Sequence, residues 1–201
     1  PLRSGQFKVA AFYSINNCQP GLRGVSLGNF LIKRVAEELK VELPQLKIFC
    51  TLSPIPGFSA WLESTTDFSQ LGLVPRAATL RLPEARALVR DALHGDADGL
   101  ASATSLRAMP PKAQAALLRL AATYLLHMST RTGGDPVARF HLANGARLER
   151  LDWLADLSRS GLKQSCGLMV NYLYDLQRIE TNHEKFIHGE VPHTRAVAAL
   201  I

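Results

Sequence analysis

Leu46-Lys-Ile-Phe-Cys-Thr-Leu-Ser-Pro-Ile-Pro-Gly-Phe58 joins an apolar run to a turn that carries two prolines. The run predicts a β-strand that ends before the prolines. Pro54 and Pro56 each fix φ and remove a backbone donor, and Gly57 supplies geometry that they cannot reach. We therefore expect the Ser53 hydroxyl to be held in one place at a strand end, where open α/β folds position reacting groups.

The residues before this stretch predict the rest of one folding unit. Residues 7–15 are rich in aromatic and β-branched side chains, as in a strand, and residues 16–28 form a loop with three glycines. Apolar residues then recur at three- and four-residue steps from Leu27 to about Lys40, which predicts an amphipathic helix. With the strand at 46–52, the order is strand, glycine loop, helix, strand.

Helix start and stop residues mark the elements after the proline turn. Asp135 and Pro136 predict the N-cap and first turn of a helix, and Asn144-Gly145 predicts its end. Prolines come before two further segments rich in alanine and leucine, which predicts two more helices. Apolar and polar residues alternate in two more segments, which predicts two more strands. These other elements are a short helix at 58–64, helices at 83–93 and 111–128, and strands at 147–153 and 168–176. Their order predicts a mixed α/β fold.

Composition narrows the class of protein without deciding its function. The 201 residues are 47% hydrophobic and 20% charged, as in a globular domain, and no apolar run is long enough to predict a membrane span. The net charge of +6 suits a polyanion, either nucleic acid or a smaller polyphosphate, but the basic residues are scattered. Three cysteines without metal-like spacing indicate a reducing compartment. The first residue is a proline without a leader, so we expect a longer parent protein.

The segment Gly21-Leu-Arg-Gly-Val-Ser-Leu-Gly-Asn29 is a candidate phosphate-binding loop. Small residues let backbone N–H groups approach an anion, and the positive end of the following helix dipole points to the same place. The spacing matches neither the dinucleotide fingerprint nor the P-loop. An ordinary glycine turn is the alternative interpretation.

His141 lies at the end of the helix that starts at Asp135, which would favour its protonated form and suit a proton donor. Asn144 follows one turn later and could orient the imidazole or contact a ligand. A buried histidine that bonds a carbonyl is the alternative. Ser53 and His141 lie far apart in sequence, so only the fold could bring them together. Elsewhere, no histidine or cysteine spacing predicts a metal site.

Four segments together resemble the catalytic domain of malonyl-CoA decarboxylase. The resemblance is densest in these blocks, which lie within residues 10–176, and it is thin between 65 and 133. The blocks are Gly21-Leu-Arg-Gly-Val-Ser-Leu-Gly-Asn-Phe-Leu-Ile-Lys-Arg-Val35, Leu52-Ser-Pro-Ile-Pro-Gly-Phe58, Phe140-His-Leu-Ala-Asn-Gly-Ala146 and Gly161-Leu-Lys-Gln-Ser-Cys-Gly-Leu-Met-Val-Asn-Tyr172.

The resemblance implies a GNAT-like acyl-CoA-binding α/β fold over residues 1–201, with a mixed central sheet flanked by helices. It implies that Ser53 and His141 are catalytic, and that the enzyme converts malonyl-CoA to acetyl-CoA and CO₂ with no cofactor and no metal. We expect a homo-oligomeric full-length protein with a further N-terminal helical domain, no nucleic-acid or membrane partner, and a cytoplasmic location of the bacterial type. The substrate-binding residues would be Arg23, Gly24, Val25, Ser26, Leu27, Gly28 and Asn29, with Asn144 added from its place beside His141.

The chemistry is consistent with this assignment, and three alternatives stay open. Losing CO₂ from a malonyl thioester leaves an enolate that the thioester carbonyl already delocalises, so no cofactor is needed as an electron sink. The protein must hold the CoA phosphates, desolvate the carboxylate and supply a donor. The nearest alternative is a GNAT-type acyl-CoA acyltransferase. A non-catalytic module that binds acyl-CoA or nucleic acid is another, and a serine hydrolase is the third, although the G-x-S-x-G turn is absent.

Overall fold

A mixed four-stranded sheet forms the centre of the structure. The computed structural model describes residues 4–13, 31–71, 76–96 and 98–201. Within them the strand order is β1 (Val9–Phe12), β2 (Ile48–Thr51), β4 (Met169–Leu173) and β3 (Arg147–Asp152). β1 and β2 are parallel, and the other neighbours are antiparallel. The mixed α/β class is confirmed, and the GNAT-like likeness stays a prediction.

Helices flank this sheet. They are α1 (Leu31–Glu42), α2 (Phe58–Ser64), α3 (Arg76–Ala92), α4 (Ala103–Ala108), α5 (Pro111–Met128), α6 (Pro136–Ala143), α7 (Arg159–Ser165), α8 (Ile179–Ile187) and α9 (Arg195–Ala198). In the part of the chain that the structure describes, no helix is both long and apolar enough to cross a membrane.

The predicted strand–helix–strand unit is confirmed by the parallel pairing of β1 with β2, in which Val9 lies opposite Ile48. A parallel pair needs a crossover, and α1 lies in that connection. Ile32 and Ala36, four residues apart, are the buried residues of α1. The glycine loop between β1 and α1 lies outside the described residues.

The backbone pairing of β2 with β4 continues past the end of β2. Cys50 pairs with Leu173 in the ladder, and Ser53 forms an antiparallel bridge with Val170. Each backbone N–H of that bridge donates to the other residue's carbonyl, at 3.0 Å from Ser53 and 2.8 Å from Val170. The backbone of Ser53 is therefore fixed to the sheet.

The predicted start of the helix at 83–93 was wrong. The helix, α3, begins at Arg76, and Pro83 lies inside it. A proline inside a helix removes one backbone hydrogen bond. Pro83 is exposed, so water can satisfy the carbonyl that loses its partner. On the opposite side of α3, Leu82 and Ala85 are each 1% exposed, and the helix packs along α5. This packing holds the helix on both sides of the proline.

Candidate active site

The Ser53 Oγ atom lies 3.0 Å from the Nε2 atom of His141. The two side chains are 4% and 3% exposed. The fold brings these residues together from positions that are 88 apart in the sequence. The two predicted catalytic side chains thus form one buried, hydrogen-bonded pair.

Thr51 extends this pair on the serine side. Thr51 is the last residue of β2, and Ser53 follows two residues later, a spacing that places both side chains on one face of an extended chain. The Ser53 hydroxyl donates to Thr51 Oγ1 at 2.9 Å. Thr51 Oγ1 also accepts the backbone N–H of Tyr172 at 3.3 Å. The serine hydroxyl is therefore held between a strand neighbour and the imidazole.

Hydrogen bonds hold the proline turn at two backbone positions. The Ile55 N–H donates to the Ser165 hydroxyl at 3.0 Å, and the Gly57 N–H donates to a carboxylate oxygen of Asp135 at 3.0 Å. Side chains from α7 and from the start of α6 thus fix the turn that follows Ser53. Its rigidity comes from these bonds as well as from the prolines.

The start and end of α6 are those that the sequence predicts. The Asp135 side chain accepts the N–H groups of Val137 and Ala138, each at 3.0 Å, with Pro136 in the first turn. Asn144 is the C-cap, and Gly145 has a φ of +81°, which glycine adopts without strain. These local signals give α6 its limits and place His141 in its last turn.

Tyr174 and Tyr172 of the β4 segment surround the imidazole, and the sequence did not identify either as part of the site. His141 Nδ1 lies 2.8 Å from the Tyr174 hydroxyl oxygen. The Tyr172 ring stacks on the imidazole, with ring centroids 4.7 Å apart. The signal that could have found them is their spacing of two residues, which places both rings on one face of a strand.

Burial lowers the pKa of His141 from 6.5 to about 4. The expectation of a protonated His141 at a helix end was therefore wrong. A helix C-terminus favours imidazolium by about 0.3–1 kcal/mol at an exposed position. Desolvation of a buried charge outweighs that effect here. At neutral pH the imidazole carries one proton and no charge.

The hydrogen-bond chain has a direction. Since Ser53 donates to Thr51, its oxygen accepts from His141 Nε2–H. The other ring nitrogen of a neutral imidazole is an acceptor, so Nδ1 accepts the Tyr174 hydroxyl. Burial raises the pKa of Tyr174, which keeps its phenol protonated. The three side chains thus form a continuous hydrogen-bond chain from Tyr174 through His141 to Ser53.

The structure says less about the other predicted site residues. Arg23 to Asn29 lie outside the described residues. Asn144 is 7% exposed, and its side-chain nitrogen donates to the Phe140 carbonyl at 2.8 Å. This bond helps to close α6, and a contact of Asn144 with a ligand stays a prediction. Among the described residues, no group of three His, Cys, Asp or Glu side chains could hold a metal ion.

Comparisons with known proteins identify the family to which this chain belongs. Residues 2–201 match the family model of the malonyl-CoA decarboxylase C-terminal domain. The mitochondrial malonyl-CoA decarboxylase of Rattus norvegicus is 42% identical over 185 residues, which cover 89% of this chain and 38% of the rat protein.

Solved structures give the same result. Malonyl-CoA decarboxylase from Rhodopseudomonas palustris is 42% identical with a TM-score of 0.78, over 100% of this chain and 44% of that chain. The enzyme from Agrobacterium vitis is 44% identical with a TM-score of 0.75, over 99% and 46%. This chain thus spans less than half the length of these relatives. It belongs to the malonyl-CoA decarboxylase C-terminal domain family.

Proposed function

We propose that this protein decarboxylates malonyl-CoA to acetyl-CoA and CO₂, with Ser53 and His141 as its catalytic pair. The observation that carries the proposal is the buried, uncharged Ser53–His141 pair with Tyr174 behind it. Membership of the family and the names of the relatives supply the substrate.

The reaction needs one proton and no external electron acceptor. The bond between the carboxylate carbon and the α-carbon breaks, CO₂ leaves, and the electron pair stays on the thioester as an enolate. The α-carbon then takes one proton to become the methyl group of acetyl-CoA, while the thioester bond is unchanged. A donor positioned in a water-poor site speeds such a step by about two to four orders of magnitude.

Ser53 is the group that delivers this proton in our proposal, and His141 replaces it. Both ring nitrogens of His141 are already bonded, one to Ser53 and the other to Tyr174. The imidazole therefore acts on the substrate through Ser53. The serine hydroxyl can turn from Thr51 to the enolate while its oxygen still accepts from Nε2–H. A proton from solvent later restores the chain.

The turn disfavours a serine hydrolase mechanism. In α/β-hydrolases the N–H of the residue after the nucleophile stabilises the oxyanion, but Pro54 has no N–H. In the described part of the turn, the N–H groups of Ser53, Ile55 and Gly57 are bonded to Val170, Ser165 and Asp135. The serine is thus suited to hydrogen bonding and proton transfer more than to forming an acyl intermediate.

We propose that Arg23 to Asn29 bind the phosphates of the CoA group, with Asn144 beside the acyl end. Glycine, serine and arginine in this segment are suited to anions. Gly24→Val should raise the KM for malonyl-CoA and change kcat little, because the substitution adds bulk where backbone must approach a phosphate. An unchanged KM would remove the segment from the site.

Mass spectrometry of the products in D₂O tests the proposal. The purified protein is incubated with malonyl-CoA and no acceptor. Decarboxylation gives acetyl-CoA with one deuterium in its methyl group, together with CO₂. Hydrolysis would give malonate and free CoA, and an acyltransferase would give no product until an amine is added. Either of these results would overturn the proposed reaction.

A further inference from the structure

We propose that Asp135 is a positioning residue that sets the distance between Ser53 and His141. Its kinetic test rests on the proposed function, and its spectroscopic test does not. Asp135 lies six residues before His141, and its side chain contacts the turn that follows Ser53. It thus joins the two segments that carry the catalytic pair.

The two oxygens of the Asp135 carboxylate serve different segments. Oδ1 accepts the first N–H groups of α6, from Val137 and Ala138, each at 3.0 Å. Oδ2 accepts the N–H of Gly57 at 3.0 Å. The residue is 1% exposed, so these bonds are made without competition from water. One oxygen fixes the helix of His141, and the other fixes the turn of Ser53.

Both segments are stiff enough to transmit this constraint. Two prolines lie between Ser53 and Gly57, so a shift of Gly57 has few backbone torsions to absorb it. On the other side, α6 is a continuous helix from Pro136 to Ala143. A displacement at Asp135 would therefore reach both reacting side chains.

Tyr124 encloses the same contact. Its hydroxyl hydrogen-bonds the Asp135 carboxylate. A Cβ atom placed at Gly57 would overlap that hydroxyl oxygen. The glycine, the phenol and the carboxylate are thus packed against one another, and the turn cannot move toward α5.

Helix capping alone does not account for this arrangement. Ser102 caps α4 with one hydroxyl that accepts the Ser105 N–H. Ser158 does the same for α7 with the Gly161 N–H. A single acceptor oxygen therefore suffices for an N-cap in this protein. The second oxygen of Asp135 is used for the bond between segments.

Asp135→Ser separates the two roles, because serine caps a helix well but has no second oxygen for Gly57. We expect kcat for malonyl-CoA to fall about tenfold to a hundredfold, as for a misplacement near 1 Å, with KM changed less than about twofold. Asp135→Asn keeps the size of the side chain and presents an amide donor to the Gly57 N–H, so it should show the same loss. Ser102→Ala removes the N-cap of α4, a helix that carries neither Ser53 nor His141, and is the matched control, with kcat changed less than about twofold.

The ¹⁵N NMR signals of the His141 imidazole give the readout that does not depend on turnover. In the native protein we expect one tautomer, protonated at Nε2. Both Asp135 variants should show shifted or averaged ring signals, while Ser102→Ala should match the native protein. Native ring signals and native kcat in the Asp135 variants would overturn the proposal, as would an equal loss in Ser102→Ala. A native protein that fails to decarboxylate would refute the proposed function, and the NMR comparison would still decide this inference.

Discussion

Acidification should destabilise this fold through His141. The folded protein holds the imidazole neutral down to a pKa of about 4, whereas the unfolded chain binds a proton at about its usual 6.5. Between these two pH values the unfolded state binds more protons than the folded state. The contribution of the neutral His141 to the free energy of unfolding is therefore fully present above pH 6.5 and is lost as the pH drops toward 4. At 1.36 kcal/mol per pH unit, the whole effect is about 3 kcal/mol. Down to pH 5, the loss is about 2 kcal/mol.

Urea unfolding followed by circular dichroism measures this loss, at pH 8 and at pH 5, in the native protein and in His141→Gln. The variant cannot titrate at this position, so its stability should fall by about 2 kcal/mol less over the same interval. His188→Gln is the control, because it removes an exposed histidine at the end of α8. It should show the native pH dependence. Equal slopes for the native protein and His141→Gln would refute the assignment of a neutral, buried imidazole.

Three further predictions follow from the same geometry. The kcat for malonyl-CoA should be level from about pH 6 to 8, since the pKa of His141 lies near 4; a fall in kcat as pH rises through 6.5 would instead indicate a protonated donor. Gly57→Ala should destabilise the protein by about 1–3 kcal/mol in urea unfolding, because its Cβ would overlap the Tyr124 hydroxyl. The double variant Gly57→Ala/Tyr124→Phe should lose less free energy of unfolding than the sum of the losses in the two single variants. Strictly additive losses would contradict the overlap. Gly145→Ala should lower the free energy of unfolding by about 2 kcal/mol more than Gly189→Ala, because both have positive φ but the first would meet the backbone carbonyl at the start of α8. Equal losses in these two variants would refute the packing argument.

Local chemistry explains which parts of the fold could be predicted from the sequence. Asp135 and Pro136 start α6, and Asn144 and Gly145 end it, because each acts on backbone groups within a few residues. The strand before Ser53 and its proline turn are predictable for the same reason. The family resemblance added Ser53 and His141 as catalytic residues; the structure shows their side chains in contact at 3.0 Å, and their catalytic role stays a prediction.

Properties that depend on packing could not be predicted in this way. The predicted charge of His141 was wrong, because the sequence shows that a helix ends there but does not show the desolvation that lowers the pKa of His141. The contact of Tyr174 with Nδ1 joins α6 to the end of β4 across 33 positions. Pro83 lies inside α3 because tertiary packing against α5 outweighs the proline's preference for a helix start. Each of these depends on residues that are distant in the chain.

Turnover of malonyl-CoA by the Ser53→Ala variant measures the catalytic contribution of the serine hydroxyl. In the folded variant the hydroxyl is missing, while Thr51 still accepts the Tyr172 N–H. We predict that kcat for acetyl-CoA formation falls by about two to four orders of magnitude relative to the native protein. A variant that forms acetyl-CoA and CO₂ at the native rate would contradict it.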